Sequence, residues 1–224
     1  GKTQIIDQVL EHFPIKINTY IEPFIGGGSV LLSVLNRKLQ PTNIIATDIN
    51  PNLIQVWKSI QVKPAEFYKE VSELWKQYDS KPDMDAKKAF YFDMRTFYNR
   101  LKDTPSIKTA ALFLFMNKTG FRGMYRENSK GGMNIPFGNY KTTPNVPDLD
   151  YWKAVSKLRR RVHFECIDFQ SCIRKFKPKK GDFIYCDPPY VPESITSFTA
   201  YTKNKVDTDF HTQFFDTLKG LDSK

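Results

Sequence analysis

Sulfur and imidazole are scarce in this chain: among 224 residues there are three cysteines and three histidines. The cysteines, Cys166, Cys172 and Cys186, are odd in number and lie in or near segments patterned as strands or a short helix. This argues against a disulfide-stapled secreted domain. No close metal-ligand spacing links them to the histidines, which argues against a zinc site. Long apolar runs are also missing, the longest falling well short of the roughly 18 residues that a spanning helix needs. The amino-terminal residues lack the tripartite form of a secretory signal. The expectation is therefore an intracellular protein without a membrane segment, cytoplasmic if its source is a bacterium or a phage. Acidic side chains are the last shortage, 24 against 34 basic ones, for a formal charge of +10. Such a balance favours a polyanionic partner. Apolar residues, by contrast, reach 40% and aromatics 14%, which supports a packed core despite a charged fraction of 26%. The length suits one α/β domain with room for an inserted subdomain.

The opening residues alternate between helix and strand patterns. Ile5, Ile6, Val9, Leu10 and Phe13 stand at helical spacing before Pro14. TYIEPF at 19–24 reads as a strand entering the Gly26-Gly27-Gly28 turn, and SVLLSVLNRKL after it as a mostly buried helix. NIIATD at 43–48 is a second strand. Asn50 then caps a helix with Pro51 in its first turn, and Leu53, Val56, Trp57 and Ile60 line one face. This alternation predicts a mostly parallel α/β sheet.

The rhythm changes over 61–161. Phe67, Val71, Leu74, Trp75 and Tyr78 form a helical stripe, 84–101 another, and 106–118 is apolar enough for a buried helix. Residues 119–147 are polar and rich in glycine and proline, with MYR and MNIPF flanking ENSKGG, which predicts a projecting loop or hairpin. Leu149, Trp152, Val155 and Leu158 predict one more helix. The α/β pattern resumes with strands at 162–166 and 182–186, a short helix near 170–176 between them, and a final helix near 208–219. The expected organisation is a first part of the sheet domain at 1–60, an inserted helical and hairpin subdomain at 61–161, and a second part at 162–224.

Three segments carry candidate chemistry. Glu22-Pro23-Phe24-Ile25-Gly26-Gly27-Gly28-Ser29 joins a strand to a helix, and its glycines permit a tight turn that a ligand can approach closely. It lacks the lysine of a P-loop and the spacing of the dinucleotide fingerprint. A packing turn is the alternative. Asp48, at the end of the second strand, can accept hydrogen bonds from both hydroxyls of a ribose, or can cap a helix. Together, glycine turn and strand-end acid suggest a nucleoside-containing cofactor.

Asp187-Pro188-Pro189-Tyr190 must sit at the carboxyl end of its strand, because a proline pair cannot continue a central one. The Asp187 carboxylate and the Pro188 carbonyl can each accept a hydrogen from a planar amine such as adenine N6. That orients the nitrogen lone pair toward an electrophile. Tyr190 offers a face on which an extruded base can stack. A strand-ending turn with a structural tyrosine is the alternative. In the loop, Lys118, Arg122, Arg126, Lys130 and Lys141 oppose only Glu127, a local charge of +4. Such a loop either contacts DNA phosphates and base edges or is simply solvated. The clusters Lys157 with Arg159–Arg161, and Arg174–Lys180, leave the same choice open.

In their order around the long insertion, EPFIGGGS (22–29), TDIN (47–50) and DPPY (187–190) resemble the motifs of the Dam-type, alpha-class, site-specific DNA adenine-N6 methyltransferases. Gly1-Lys2-Thr3-Gln4 is similar to the end of that family's N-terminal Gly-Gly-Lys motif. The resemblance implies a Rossmann-like methyltransferase fold with an inserted helical DNA-recognition subdomain, S-adenosyl-L-methionine as methyl donor, and double-stranded DNA as partner. It extends to members that modify adenine within GATC. Carried over by position, Gly1, Lys2, Glu22, Pro23, Phe24, Gly26, Gly28 and Asp48 would bind the cofactor, Asp168 would bond its adenine with Phe169 alongside, and Asp187 would border it. Asp187, Pro188, Pro189 and Tyr190 would handle the target adenine. Residues 117–141 resemble the recognition hairpin, with Arg126 reading a base, Met124 making an apolar contact and Pro136 at another recognition position; Lys118, Asn128, Lys130 and Lys141 complete the DNA set. Phe121 stands where a tyrosine is common and Arg122 where an asparagine is. The resemblance also leads one to expect further strands beyond Lys224 and a few residues before Gly1. Methylation of RNA adenine or of cytosine N4, and a non-catalytic DNA-binding scaffold, are the alternative readings.

Overall fold

A computed structural model describes residues 5–37, 41–189 and 208–222. Gly1, Lys2 and Tyr190 lie outside the described residues. The chain divides into two compact units, Gly1–Ile54 with Lys157–Pro188 and His211–Lys224, and Gln55–Ser156 with Pro189–Phe210.

In the first unit, α1 (Ile6–Glu11) precedes β1 (Thr19–Glu22), α2 (Ser29–Asn36) and β2 (Asn43–Asp48). After the excursion of the chain, β3 (Val162–Cys166), α8 (Phe169–Phe176) and β4 (Phe183–Ile184) follow, then α9 (Thr208–Asp222). The strands form one parallel sheet in the order β3-β2-β1-β4. Tyr20 stands beside Ile44 on one side and Phe183 on the other, and Ile44 beside Val162. Side chains alternate across the sheet. Ile21 and Ile45 pack with Cys172 of α8, joined by Ile167, Phe176 and Ile184. On the opposite face Phe13 meets Tyr20 and Phe183, with ring centroids 6.1 and 4.5 Å apart.

Two strands are shorter than their patterns predict. TYIEPF stops pairing at Glu22, where the Pro23 ring removes the next ladder donor. The 182–186 strand narrows to Phe183–Ile184. Its neighbour Asp182 spends its carboxylate on the Thr19 N–H at 3.0 Å and the Lys179 N–H at 2.8 Å, closing a turn instead of extending the ladder. The Thr19 contact bridges 163 residues of sequence.

The second unit is helical: most of α3 (Pro51–Val62), then α4 (Pro64–Asp79), α5 (Met84–Leu101), α6 (Ile107–Thr119) and most of α7 (Leu149–Arg159). Local chemistry sets their starts. Asn50 Oδ1 accepts the N–H groups of Asn52 and Leu53 at 3.0 and 3.1 Å, Asp83 accepts that of Ala86, and Ser106 with Thr109 forms a capping box on α6. The core is aromatic, with Phe115 edge-on to Trp75, Tyr78 and Phe90.

Residues 119–138 fold back as a hairpin held by two isolated antiparallel bridges, Gly120 to Phe137 and Glu127 to Met133. Its arms are unequal. Arg126 pairs with Asn134 and Phe121 with Pro136, so four residues, 122–125, oppose Ile135 alone. The surplus forms a bulge containing a short 3-10 turn, Phe121–Gly123, with Arg122 in the left-handed region at φ 54°. The outgoing arm is straight: Met133, Ile135 and Phe137 are buried, Asn134 is half-buried and Pro136 is exposed.

Candidate active site at the carboxyl rim of the sheet

In a parallel sheet ordered β3-β2-β1-β4, connections from β1 and from β3 leave in opposite directions, and ligands bind outside the carboxyl ends at that switch. Each strand here delivers an acid to that rim: Glu22 from β1, Asp48 from β2, Asp168 just past β3 and Asp187 just past β4.

Glu22 is 3% exposed. Burial pushes its carboxyl up to about 8; the Tyr20 hydroxyl, donating at 2.7 Å, and the Leu31 N–H pull it back, while the charge of Asp187 raises it further. The Leu31 N–H belongs to the first turn of α2, so Glu22 also stabilises the positive end of that helix. Tyr20 was not among the sequence candidates; its signal was the two-residue spacing to Glu22, which puts both on one face of the strand.

Between Glu22 and α2 the chain turns through Gly26 and Gly28 at φ 48° and 66°, a region closed to most side chains. An added Cβ at Gly27 would meet nothing within 4 Å, so this backbone faces open space. The turn is tied to β2 by Asp48, whose Oδ2 accepts the Gly26 N–H at 3.1 Å and whose Oδ1 accepts the Asn50 N–H at 3.0 Å. Burial raises the Asp48 carboxyl above its ordinary value, against the N–H groups of Asn50, Gly26 and Ile49. Capping of α3 falls to Asn50, so the helix-cap alternative for Asp48 is filled by a neighbour. With three N–H donors in place, the Asp48 carboxylate keeps lone-pair capacity for one further donor.

Asp168 caps α8, accepting the Ser171 N–H at 2.9 Å and the Ser171 hydroxyl at 2.6 Å. Burial opposes its charge, yet Ser171 and Arg174 together hold its carboxyl below the ordinary range. Phe169 stacks on Phe24 at 5.5 Å and 16°, and Phe214 of α9 leans on both. Asp187 and Pro188 emerge from β4, where Tyr185 N–H still bonds Ile21 O at 2.9 Å, beside the end of β1. Glu22, Phe24, Gly26, Gly28, Asp48, Asp168, Phe169, Asp187 and Pro188 thus share one unit, with Pro23 in the turn after β1.

The hairpin candidates belong to the helical unit. Lys118, Phe121, Arg122, Asn128, Lys130, Pro136 and Lys141 are exposed, whereas Met124 and Arg126 are half-buried. Arg122 lies over the Phe121 ring at 5.1 Å. The Arg126 guanidinium donates through Nε and Nη2 to the Asn134 carbonyl, at 3.0 and 2.6 Å, bridging the arms. Asn128 shapes the tip, its Oδ1 accepting the N–H groups of Lys130 and Gly132 at 3.0 Å each. Among the described residues no helix is long and apolar enough to cross a membrane.

The parallel sheet, the glycine turn and the strand-end acids define a Rossmann-like methyltransferase fold. Residues 1–224 match the family described as D12 class N6 adenine-specific DNA methyltransferase, and the chain belongs to that family. It is 37% identical over 231 residues to the type II methyltransferase M.MjaIII of Methanocaldococcus jannaschii, spanning 100% of this chain and 78% of the relative. With the type II methyltransferase M1.LlaDCHI of Lactococcus lactis subsp. cremoris it shares 30% identity, over 100% of this chain and 75% of that protein. With the DNA adenine methylase of Escherichia coli K12 it shares 29%, over 99% and 73%. The protein is a DNA adenine-N6 methyltransferase.

Proposed function

We propose that the protein transfers a methyl group from S-adenosyl-L-methionine to adenine N6 in duplex DNA, within GATC, and that Gln55–Ser156 carries the DNA-recognition elements expected of 61–161. The observation that carries this reading is the emergence of Asp187-Pro188 beside the glycine turn, on adjacent parallel strands.

The residues fit the cofactor. Asp48 retains acceptor capacity for a ribose hydroxyl, the backbone at Gly27 is open to close approach, and the acids at the rim complement a sulfonium and an ammonium charge. Glu22, Pro23, Phe24, Gly26, Gly28, Asp168, Phe169 and Asp187, with Gly1 and Lys2, are its proposed neighbours. When bound, the cofactor supplies an electrophilic methyl.

The chain's own residues do the rest. The Asp187 carboxylate and the Pro188 carbonyl accept the two hydrogens of the flipped adenine's amine and turn its lone pair toward the methyl. Both dipoles also stabilise the positive charge growing on that nitrogen. Pro189 stiffens the segment and Tyr190 stacks on the base. No strong base is needed: N6 becomes acidic as its bond to the methyl carbon forms and the sulfur–carbon bond breaks, and with S-adenosyl-L-homocysteine as the leaving group the surplus proton would pass through the Asp187 carboxylate to water. Arg126 and Met124 read base edges while Lys118, Phe121, Arg122, Asn128, Lys130, Pro136 and Lys141 seat the hairpin.

Asp187→Ala is expected to abolish transfer of labelled methyl to GATC duplexes while retaining cofactor binding by calorimetry. Undiminished turnover in this variant refutes the mechanism. Mapping the methylated base and its flanks in the wild-type reaction tests the sequence.

A further inference from the structure

The straight arm of the hairpin gives its outer edge to a helix, not to another strand. At the Met133–Glu127 bridge the flanking main-chain bonds, Asn128 N–H to Gly132 O and Asn134 N–H to Arg126 O, lie on the inner edge, at 2.8 and 2.9 Å. The N–H and C=O of Met133 therefore point outward. Both meet one side chain. Asn99 Oδ1 accepts the Met133 N–H at 2.8 Å, and Asn99 Nδ2 donates to the Met133 carbonyl at 3.0 Å. The carboxamide acts as a one-residue strand partner.

Two residues further along the arm, the Ile135 carbonyl accepts from the Tyr91 hydroxyl at 3.0 Å and from Arg95 Nη1 at 2.8 Å. Tyr91, Arg95 and Asn99 are spaced i, i+4, i+8, a single stripe of α5. The Ile135 carbonyl thus has two donors, while Met133 depends on Asn99 for both groups. On the other arm, in the bulge at 122–125, Asn117 Nδ2 donates to the Gly123 carbonyl at 2.7 Å.

We propose that Asn99 is a positioning residue for sequence discrimination. By gripping Met133 it fixes the register of the straight arm, and through the Arg126–Asn134 pairing one step away it fixes where Met124 and Arg126 meet base edges. This rests on the DNA-reading role proposed above for the hairpin. Asn99 itself need not touch DNA.

The test uses plasmid DNA to map the sequence that the wild-type protein methylates, then a duplex of that sequence and its single-base variants as probes. Asn99→Ala is expected to lower the ratio of kcat/KM for the mapped duplex over its variants by about tenfold. The loss should fall on KM for DNA, with kcat at saturating DNA and cofactor affinity within about twofold of wild type. Asn99→Asp, which keeps the acceptor for the Met133 N–H, should recover part of the ratio. Tyr91→Phe should stay near wild type, because Arg95 still serves the Ile135 carbonyl. Amide exchange in residues 126–137 should quicken in Asn99→Ala and not in Tyr91→Phe. A discriminating wild type with an unchanged ratio in Asn99→Ala overturns this inference alone. A wild type that methylates every duplex equally overturns it together with the reading role of the hairpin.

Discussion

At Glu22 the fold keeps a carboxyl group out of water at the end of β1, an interior strand of the sheet, beside a second acid. Its raised value has a measurable sign. An acid that titrates at about 8 when folded and near 4.5 when unfolded holds its proton longer in the native state. Its contribution to stability is then full below about 4.5 and is lost as pH rises through about 8. Glu22→Gln removes that dependence, so the urea midpoint of the variant should exceed that of wild type at pH 8.5 and approach it at about pH 4.5. A wild-type difference between the two pH values that survives in the variant assigns it elsewhere. Arg126 poses a different question at the same scale, since the guanidinium proposed to read a base is bonded to the Asn134 carbonyl. Arg126→Ala should abolish preference among single-base variants of the methylated duplex, measured by competition, while total binding falls by less. Retained preference assigns base reading to other residues.

Elements obey local chemistry where that chemistry is local. The capping box at Ser106 and Thr109 starts a mostly buried helix, so Ser106→Ala should cost about 1 kcal/mol in chemical unfolding. A midpoint shift of zero would mean that packing alone fixes the start of α6. The same locality explains which parts of the fold were legible in the sequence. Asn50-Pro51 announces α3 because a cap needs only its own next residues, and the glycine turn and Asp187-Pro188 declare strand ends because backbone geometry forbids anything else. The shortening of β4 was hidden, since it depends on Asp182 reaching Thr19, far away in sequence. The Asp168 oxygens that cap α8 and the Tyr20–Glu22 bond refine candidate residues into working geometry, which sequence spacing only hints at. The α5 stripe was invisible for another reason. Tyr91, Arg95 and Asn99 follow helical spacing but are submerged among Phe90, Phe92, Phe97 and Tyr98, and a backbone carbonyl leaves no mark in sequence as a partner. The unequal arms of the hairpin were equally unreadable, because the count of opposed residues exists only once the pairs are known.

At the scale of the whole molecule the +10 charge sets a long-range attraction for a polyanion. Binding to duplex DNA should weaken linearly in log salt, with a slope of about 0.9 per phosphate neutralised. Replacing Lys130 and Lys141 by alanine should flatten that slope by about two if both lie on phosphates, as fluorescence anisotropy from low to moderate salt can measure. An unaltered slope returns both lysines to the solvated surface.

The hydrogen bond from Thr19 to Asp182 also has a temporal side. A chain leaving the ribosome can pair β1 with β2 once Asp48 has emerged, 29 positions after Thr19. The β1–β4 edge has to wait until Asp182, 163 positions after Thr19, has been synthesised. Closing so large a loop is slow relative to neighbouring contacts. The glycine turn and Asp48 are therefore built early, and the Asp187 segment joins them later. On the roles proposed above, the segment that holds the target amine joins the sheet after the ribose-binding half of the pocket already exists.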